Sequence, residues 1–270
     1  MKESPRPLAV VTGASAGIGA EYARQLAKRG YDLVLTARRK ERLERLAGEL
    51  ADRFGCQTQV VVADLRLSTS PAVICRELGS AGRPVDVLVN NAGYGIPGYY
   101  TSTPWEEQQA FLQVMVTAVA ELSYRLLPAI RERGGGIINV ASLAGIVPGS
   151  AGHTLYAAAK AFVIKFSESL AMENQDRSVT IQAFCPGFTY SEFHDVVGTR
   201  DIVSKLPDYM WMQAADAVRI SLDAFDDPRS PVMVVPGRVN RFLAMLSRKL
   251  PYKAGYNLVR RRSGEFRHQE

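Results

Sequence analysis

A tyrosine and a lysine whose side chains could move one proton stand four residues apart, at Tyr156 and Lys160. On an α-helix this spacing places both side chains on the same face. A phenol ordinarily has a pKa of about 10, and a neighbouring ammonium group favours its ionised form. Such a pair is suited to acid–base catalysis. The spacing alone is weak evidence, because it also arises by chance in a chain with 11 tyrosines.

The position of this pair in the chain strengthens the interpretation. Ser142 ends an apolar run, and Tyr156 opens the helical pattern that follows the same run. In a parallel sheet, both would lie at the edge where strands end and ligands bind. We therefore predict that Ser142, Tyr156 and Lys160 share one site.

A glycine-rich segment near the start of the chain has the composition of a phosphate-binding loop. The apolar run Leu8–Thr12 leads directly into Gly13, Gly17 and Gly19, and a helical pattern follows. Glycines allow a tight turn and let backbone N–H groups approach a pyrophosphate at the helix N-terminus. This context predicts dinucleotide binding, whereas the alternative is only a tight strand-to-helix turn.

The second apolar run, Asp32–Ala37, is followed by Arg38 and Arg39. Sites that prefer NAD usually carry an acidic residue here, which binds the ribose 2′-hydroxyl. A guanidinium group instead pairs with phosphate in a bidentate manner. The two arginines therefore favour NADP(H), unless they form only the solvated start of the next helix with Lys40.

These residues require a scaffold in which strands and helices alternate along the chain. The predicted strands are Leu8–Thr12, Asp32–Ala37, Gln59–Ala63, Val85–Asn90, Gly136–Ala141, Val179–Cys185 and Val232–Val235. Helical periodicity covers Glu21–Arg29, Lys40–Phe54 and Glu107–Arg131, and helix starts are indicated at Ser70-Pro71 and at Thr103-Pro104, with Thr103 as the cap. Continuous apolar strands that alternate with helices predict a single α/β domain of the Rossmann type. Its doubly wound parallel sheet has about seven strands, with helices on both faces.

Composition excludes several other classes of protein. With 270 residues, 47% hydrophobic and 22% charged, the chain can bury a large core. No apolar run reaches the length of a membrane span, and no signal-peptide region precedes Leu8. Three cysteines and three histidines are too widely spaced for a disulfide scaffold or a zinc site. We predict a cytoplasmic protein that binds no metal.

The net charge of +6 arises in the last part of the chain. Residues 236–270 contain nine lysines and arginines but only two acidic residues, and the rest of the chain is nearly neutral. We predict a domain over residues 1–237 and a basic amphipathic tail over 238–270, with Phe242, Leu243, Leu246 and Leu250 on one helix face. The alternatives for the tail are a solvated surface, a weak contact with an anionic membrane, a subunit contact or a cover over the active site. We predict no nucleic-acid partner.

Over about residues 7–237 the sequence resembles the classical short-chain dehydrogenase/reductase family. The motifs occur in order: Thr12–Gly19, Asp64, Asn90–Gly93, Ser142, Tyr156 with Lys160, and Pro186-Gly187. The resemblance implies hydride transfer between NADP(H) and a carbonyl or secondary alcohol. Tyr156 would be the acid/base, Ser142 would position the substrate oxygen, and Lys160 would hold the ribose and lower the tyrosine pKa. It also implies a homodimer or homotetramer, paired through the helices after strands four and five.

The same resemblance implies further contacts with the cofactor. They are Gly13, Ser15, Gly17, Ile18, Gly19, Arg38, Arg39, Asp64, Leu65, Asn91, Ala92, Gly93, Tyr156, Lys160, Pro186, Gly187 and Thr189. The position that is Asn in the family, and that holds a water in the proton relay, is Met115 in this chain. A thioether is a weak acceptor and no donor. We expect reduced activity, and the alternative is a non-catalytic NADP-binding sensor or scaffold.

The substrate side of the site is predicted to be apolar. Its residues are Tyr94, Leu143, Ile146, His153, Phe188 and Trp211, with the segment Phe193–Met212 as a lid. Such a lining favours an apolar ketone, aldehyde or secondary alcohol. The alternatives are core packing for the Met/Trp cluster and a structural role in the loop for His153.

Overall fold

A computed structural model describes residues 6–80, 82–96, 98–175, 177–192 and 207–262. Seven parallel strands form one sheet in the order β3-β2-β1-β4-β5-β6-β9. They are β1 (Leu8–Thr12), β2 (Asp32–Ala37), β3 (Thr58–Val62), β4 (Val87–Asn90), β5 (Gly136–Val140), β6 (Thr180–Phe184) and β9 (Met233–Val234). The predicted fold class and the seven predicted strands are confirmed; two strands have the predicted bounds, and the ends of the other five differ by one or two residues.

Helices cover both faces of this sheet. They are α1 (Gly17–Lys28), α2 (Lys40–Phe54), α3 (Ser70–Ser80), α4 (Trp105–Leu112), α5 (Ala118–Arg133), α6 (Thr154–Met172), α7 (Ala214–Asp226), α8 (Arg238–Lys249) and α9 (Tyr252–Arg262). One buried cluster joins α1, α2 and α7 to the sheet, and another joins α3, α5 and part of α6. Every residue of β1, β4 and β5 is buried, as expected for parallel strands covered on both sides.

The long helical segment after β4 differs from a regular α-helix in one place. A π-helical turn, Gln113–Thr117, separates α4 from α5, and the N–H of Ala118 donates to the carbonyl of Gln113. Turns of this kind are frequently found at functional sites. The segment begins at Trp105 with Pro104 as its cap, so the predicted Thr103 cap is one residue too early. Trp105–Arg133 passes the length and composition test for a membrane span, but half of its apolar window is buried in the fold.

Two short strands were not indicated by the sequence pattern. β7 (Phe188–Tyr190) and β8 (Trp211–Gln213) pair in parallel and form a separate two-stranded sheet beyond the end of β6. Three residues are too few to show an alternating pattern. This pair fixes the chain on both sides of residues 193–206, which lie outside the described residues.

Candidate active site

A cleft of about 590 Å³ lies along the carboxyl edge of the sheet, where strand order reverses between β1 and β4. This is the position at which parallel α/β sheets bind ligands. Most of the predicted site residues line it: Gly13, Ser15, Gly17, Ile18, Arg38, Arg39, Asp64, Leu65, Asn91, Ala92, Gly93, Tyr94, Ser142, Leu143, His153, Tyr156, Lys160, Pro186, Gly187, Phe188 and Thr189.

The glycine-rich loop at one end of the cleft has a backbone shape that glycine permits. Gly13 and Gly17 have φ angles of 68° and 54°, in the left-handed region. The N–H of Gly13 donates to the carbonyl of Thr36 at 2.8 Å, which ties the turn to β2. Helix α1 begins at Gly17 with no capping side chain and no acidic residue in its first turn. Its N-terminal N–H groups are therefore suited to an anion.

Asn91 holds this loop against β4. Its Nδ2 donates to the carbonyls of Thr12 at 2.9 Å and Gly13 at 3.3 Å. A Cβ on Gly19 would lie 2.3 Å from the same Nδ2. Gly19 therefore allows close packing behind the loop and does not line the cleft, unlike the other predicted glycines.

The charged residues after β2 and β3 form one end of the cleft. Arg39 donates from Nε and Nη2 to the Ser15 hydroxyl at 3.2 and 3.0 Å, which brings its guanidinium group to the glycine-rich loop. Asp64 pairs with Arg66 at 2.6 Å. That hydrogen bond is the main cause of the lowered pKa of Asp64, and the positive charge of Arg38 lowers it further.

The three predicted catalytic residues meet at the other end of the cleft. Ser142 follows the end of β5 by two residues and caps a 3₁₀ turn, Leu143–Gly145, where its Oγ accepts from the N–H of Ala144 at 3.1 Å. Tyr156 lies in the first turn of α6, and a hydrogen bond joins its side chain to Ser142. Burial raises the pKa of Tyr156 to about 12, although this hydrogen bond lowers it. Tyr156 is therefore a neutral phenol at neutral pH, and its raised pKa is opposite to the lowering by Lys160 that the resemblance implied.

Lys160 lies one helical turn further along α6 and is buried. Its Nζ donates to the carbonyl of Val140 at 2.7 Å and lies 5.8 Å from the centre of the Tyr156 ring. Burial lowers the pKa of Lys160 to about 8. A Cβ on Gly145 would lie 2.6 Å from the backbone of Lys160, so this glycine lets the turn after Ser142 pack closely on α6.

Comparison with known proteins identifies the family. The short chain dehydrogenase family matches residues 7–201. This chain belongs to the short-chain dehydrogenase family. The match covers the glycine-rich loop and the Ser142, Tyr156 and Lys160 positions, and it confirms the resemblance found in the sequence.

Individual relatives in this family have known names or structures. The very-long-chain 3-oxoacyl-CoA reductase of Anas platyrhynchos is 36% identical over 193 residues, which are 70% of this chain and 61% of the relative. The chain thus spans about three fifths of that relative's length.

Solved short-chain dehydrogenase structures match more of the chain. That of Sphingobium yanoikuyae in complex with NADPH is 33% identical, with a TM-score of 0.79 over 88% of this chain and 91% of that one. The bulky-bulky ketone specific alcohol dehydrogenase from Comamonas testosteroni is 28% identical, with a TM-score of 0.74 over 92% and 96%.

Met115 is where this short-chain dehydrogenase departs from the family pattern. It lies in the π-helical turn, is buried and lines the cleft. Its Sδ lies 3.0 Å from the position of a Cβ on Gly93, so the thioether fills the space beside the Asn91–Gly93 segment. Met115 thus stands within the π-helical turn that separates α4 from α5.

Tyr94, Leu143, His153 and Phe188, which the sequence analysis assigns to the substrate side, line the cleft. Tyr94 packs edge-to-face on Phe111 at 5.4 Å, and its buried hydroxyl has no hydrogen-bond partner in the part of the chain that the structure describes. Burial lowers the pKa of His153, which favours its neutral form. The His153 ring stands 6.3 Å from that of Tyr156.

Two predicted substrate residues lie outside the wall of the cleft. Trp211 belongs to β8 and packs behind Phe188 and Tyr190, at 5.5 and 4.8 Å between ring centres. The pairing of β8 with β7 places Trp211 behind Phe188, where its ring supports the wall of the cleft from outside. Ile146 packs with Val119 and Val163 in a small buried cluster. Residues 193–206 of the predicted lid lie outside the described residues.

Sequence reasoning missed several residues around the cleft. Val259 of α9 lines it, and Gly255 approaches Pro148 on its rim. Asn240 of α8 packs over Gly187, where a Cβ would lie 2.4 Å from its Oδ1. Sequence offered no signal for these contacts, because each joins segments that are far apart in the chain.

The tail helix α8 packs on the domain through small and polar residues. Its buried residues are Asn240 and Ala244, whereas Phe242 is 56% exposed. Asn240 lies close over Gly187. Helix α8 thus lies within the predicted basic tail and exposes Phe242.

Proposed function

We propose that this chain is an NADP(H)-dependent oxidoreductase that transfers hydride between the nicotinamide and a carbonyl or secondary alcohol of an apolar small molecule. One observation carries the proposal. A hydrogen-bonded Ser142–Tyr156 pair with Lys160 beside it stands in the same cleft as the glycine-rich loop and Arg39. Family membership supports the reaction class, and the relative solved with NADPH supports the cofactor.

The residues of the cleft fit a dinucleotide phosphate. The uncapped start of α1, with Gly13 and Gly17 in the loop before it, would hold the pyrophosphate. Arg38 and Arg39 would hold the 2′-phosphate, Asp64 with Leu65 the adenine, and Pro186 to Thr189 the nicotinamide side. The remaining wall would be formed by Ile18 and by Asn91 to Gly93. When bound, the nicotinamide gives or accepts the hydride.

The chain's own groups then handle the proton. In reduction the Tyr156 hydroxyl donates its proton to the carbonyl oxygen, while the Ser142 hydroxyl donates a hydrogen bond that orients this oxygen. The positive charge of Lys160 favours the phenolate that remains. In oxidation the phenolate takes the proton back from the alcohol.

The apolar wall favours an uncharged ketone or its alcohol. The names of two relatives, a 3-oxoacyl-CoA reductase and a bulky ketone alcohol dehydrogenase, are in keeping with a ketone. The second candidate function, a weakly active or non-catalytic NADP-binding sensor, is favoured by Met115 alone.

We also propose how the molecule is organised. The domain would end near Gly237, since β9 ends at Val234 and α8 begins at Arg238. A homodimer or homotetramer would pair through α5 and α6, which expose Tyr124 and Met172. Three free cysteines suit the cytoplasm. Cations beside exposed Phe242 on α8 suit a weak contact with an anionic membrane.

The test begins with binding and then measures turnover. Saturating NADPH, at 100 times its Kd, should raise the free energy of unfolding by about 2.7 kcal/mol, and NADH should do less. NADPH oxidation is then followed with a panel of apolar ketones and aldehydes. Binding without turnover would favour the sensor, and a larger shift with NADH would contradict the assignment of Arg38 and Arg39.

A further inference from the structure

Glu192 connects two sides of the cofactor cleft. It follows β7, and its carboxylate accepts from Arg42 Nη1 at 2.6 and 2.7 Å and from Arg39 Nη1 at 3.1 Å. Both arginines stand at the start of α2, and the glycine-rich loop contacts both Arg39 and the segment that contains Glu192. The carboxylate thus neutralises part of the basic cluster that would receive the 2′-phosphate.

The chain before Glu192 lies directly on the glycine-rich loop. A Cβ on Gly17 would be 3.0 Å from Cβ of Ser191. Arg39 reaches the same loop through its bonds to Ser15. The carboxylate, the two arginines and the loop therefore form one contiguous group of polar contacts.

Arg39 has only two N–H donors left for a phosphate while it holds these partners. A guanidinium group has five N–H donors in a fixed fork, and bidentate phosphate binding occupies one edge of that fork. Ser15 takes Nε and Nη2, and Glu192 takes Nη1. A phosphate beside the Glu192 carboxylate would also be repelled by it. Arg42, with two short bonds, provides the carboxylate with a second partner.

We infer that Arg39 exchanges partners, holding Glu192 in the free protein and the cofactor's 2′-phosphate in the complex. Glu192 is then an internal competitor that weakens binding of NADP(H) and has no such effect on NAD(H). The inference rests on the proposed function, because it concerns the 2′-phosphate at that same site. It makes Glu192 a residue that sets cofactor selectivity.

The test compares Glu192→Gln with the wild type by calorimetric titration. The ligands are NADPH, NADH, adenosine 2′,5′-bisphosphate and ADP, so the readout does not depend on turnover. Glu192 and Arg39 are 45% and 41% exposed, and exposed ion pairs change an equilibrium by no more than about fivefold. We expect Glu192→Gln to tighten NADPH and the 2′,5′-bisphosphate two- to fivefold and to leave NADH and ADP unchanged.

Two matched variants isolate the contact. Glu41→Gln removes the same charge from an exposed position in the first turn of α2, outside the bridge, and should leave the NADPH-to-NADH ratio unchanged. In an Arg39→Ala background, Glu192→Gln should lose its selective effect, because the exchanging group is gone. An equal effect of Glu41→Gln would mean that net charge alone sets the ratio, which would overturn the inference.

Other outcomes also contradict the exchange. Weaker binding of both cofactors would show that the bridge only holds the cleft closed. Unchanged binding of all four ligands would show that Glu192 does not compete. If the wild type binds NADPH and Glu192→Gln gives either of these results, only this inference is refuted. If the wild type binds neither cofactor, the proposed function is refuted as well.

Discussion

Lys160 is a buried cation, and its burial carries a cost in stability that a neutral side chain of similar length avoids. Its pKa falls from 10.5 to about 8 in the folded protein. Since each pKa unit corresponds to about 1.4 kcal/mol, keeping the ammonium group charged in the fold costs about 3 kcal/mol. Its hydrogen bond to the carbonyl of Val140 offsets this by about 1 kcal/mol. Lys160→Met should therefore stabilise the free protein by about 2 kcal/mol at pH 7.

The pH dependence follows from the sign of the pKa shift. Below about pH 8 the lysine is protonated in both the folded and the unfolded chain, so the full cost is present. Between about 8 and 10.5 only the unfolded chain keeps the proton, and the stability of the wild type rises with pH. The advantage of Lys160→Met should thus shrink to about zero near pH 10.

Urea unfolding of the cofactor-free proteins at pH 7 and pH 10 measures this difference. Lys165→Met is the matched control, because Lys165 lies on the same helix, is 78% exposed and pairs with Glu168. It should change stability by less than about 0.5 kcal/mol at either pH. If Lys160→Met is less stable than the wild type at pH 7, or if its effect does not vary with pH, the reasoning about the buried ammonium group is refuted. The same variant should lose turnover.

Three further predictions concern catalysis. The kcat/KM for ketone reduction at saturating NADPH should fall above about pH 8 as Lys160 loses its proton; a constant value up to pH 10 would contradict the role of its charge. Tyr156→Phe should lower kcat by about 10²- to 10⁴-fold with an unchanged Kd for NADPH in titration. Met115→Asn should raise kcat, and an unchanged rate would remove Met115 from the account of catalysis.

The sequence predicted the sheet well because buried parallel strands leave a strong signal. All five residues of β1 are buried, and the run Leu8–Thr12 was recognisable as apolar over its whole length. The positions of Ser142 and Tyr156 followed from the ends of such runs. β8 and its Trp211 were not recognised as a strand, because a three-residue strand has no period and its partner β7 is equally short.

Contacts between distant segments account for the rest of the site. Glu192 meets Arg42 across 150 positions of the sequence, so that neither neighbourhood indicates the pair. The shared face of Phe242, Leu243, Leu246 and Leu250 was recognisable from their spacing, but the contact of Asn240 with Gly187 was not, because the two residues are 53 positions apart. Hydrophobic periodicity shows which side chains share a helix face, but it does not show which face meets a distant segment of the chain.

Burial acts on the two titrating groups of the site in opposite directions, and the combination bears on the direction of the reaction. It raises the pKa of Tyr156 to about 12 and lowers that of Lys160 to about 8. Near pH 7 the phenol is consequently protonated while the lysine is still mostly charged. This is the state that carbonyl reduction requires, because the tyrosine must begin as a proton donor. Alcohol oxidation must begin from the phenolate, so the free protein at neutral pH holds the protonation state from which reduction starts and must lose the phenol proton before it can oxidise an alcohol.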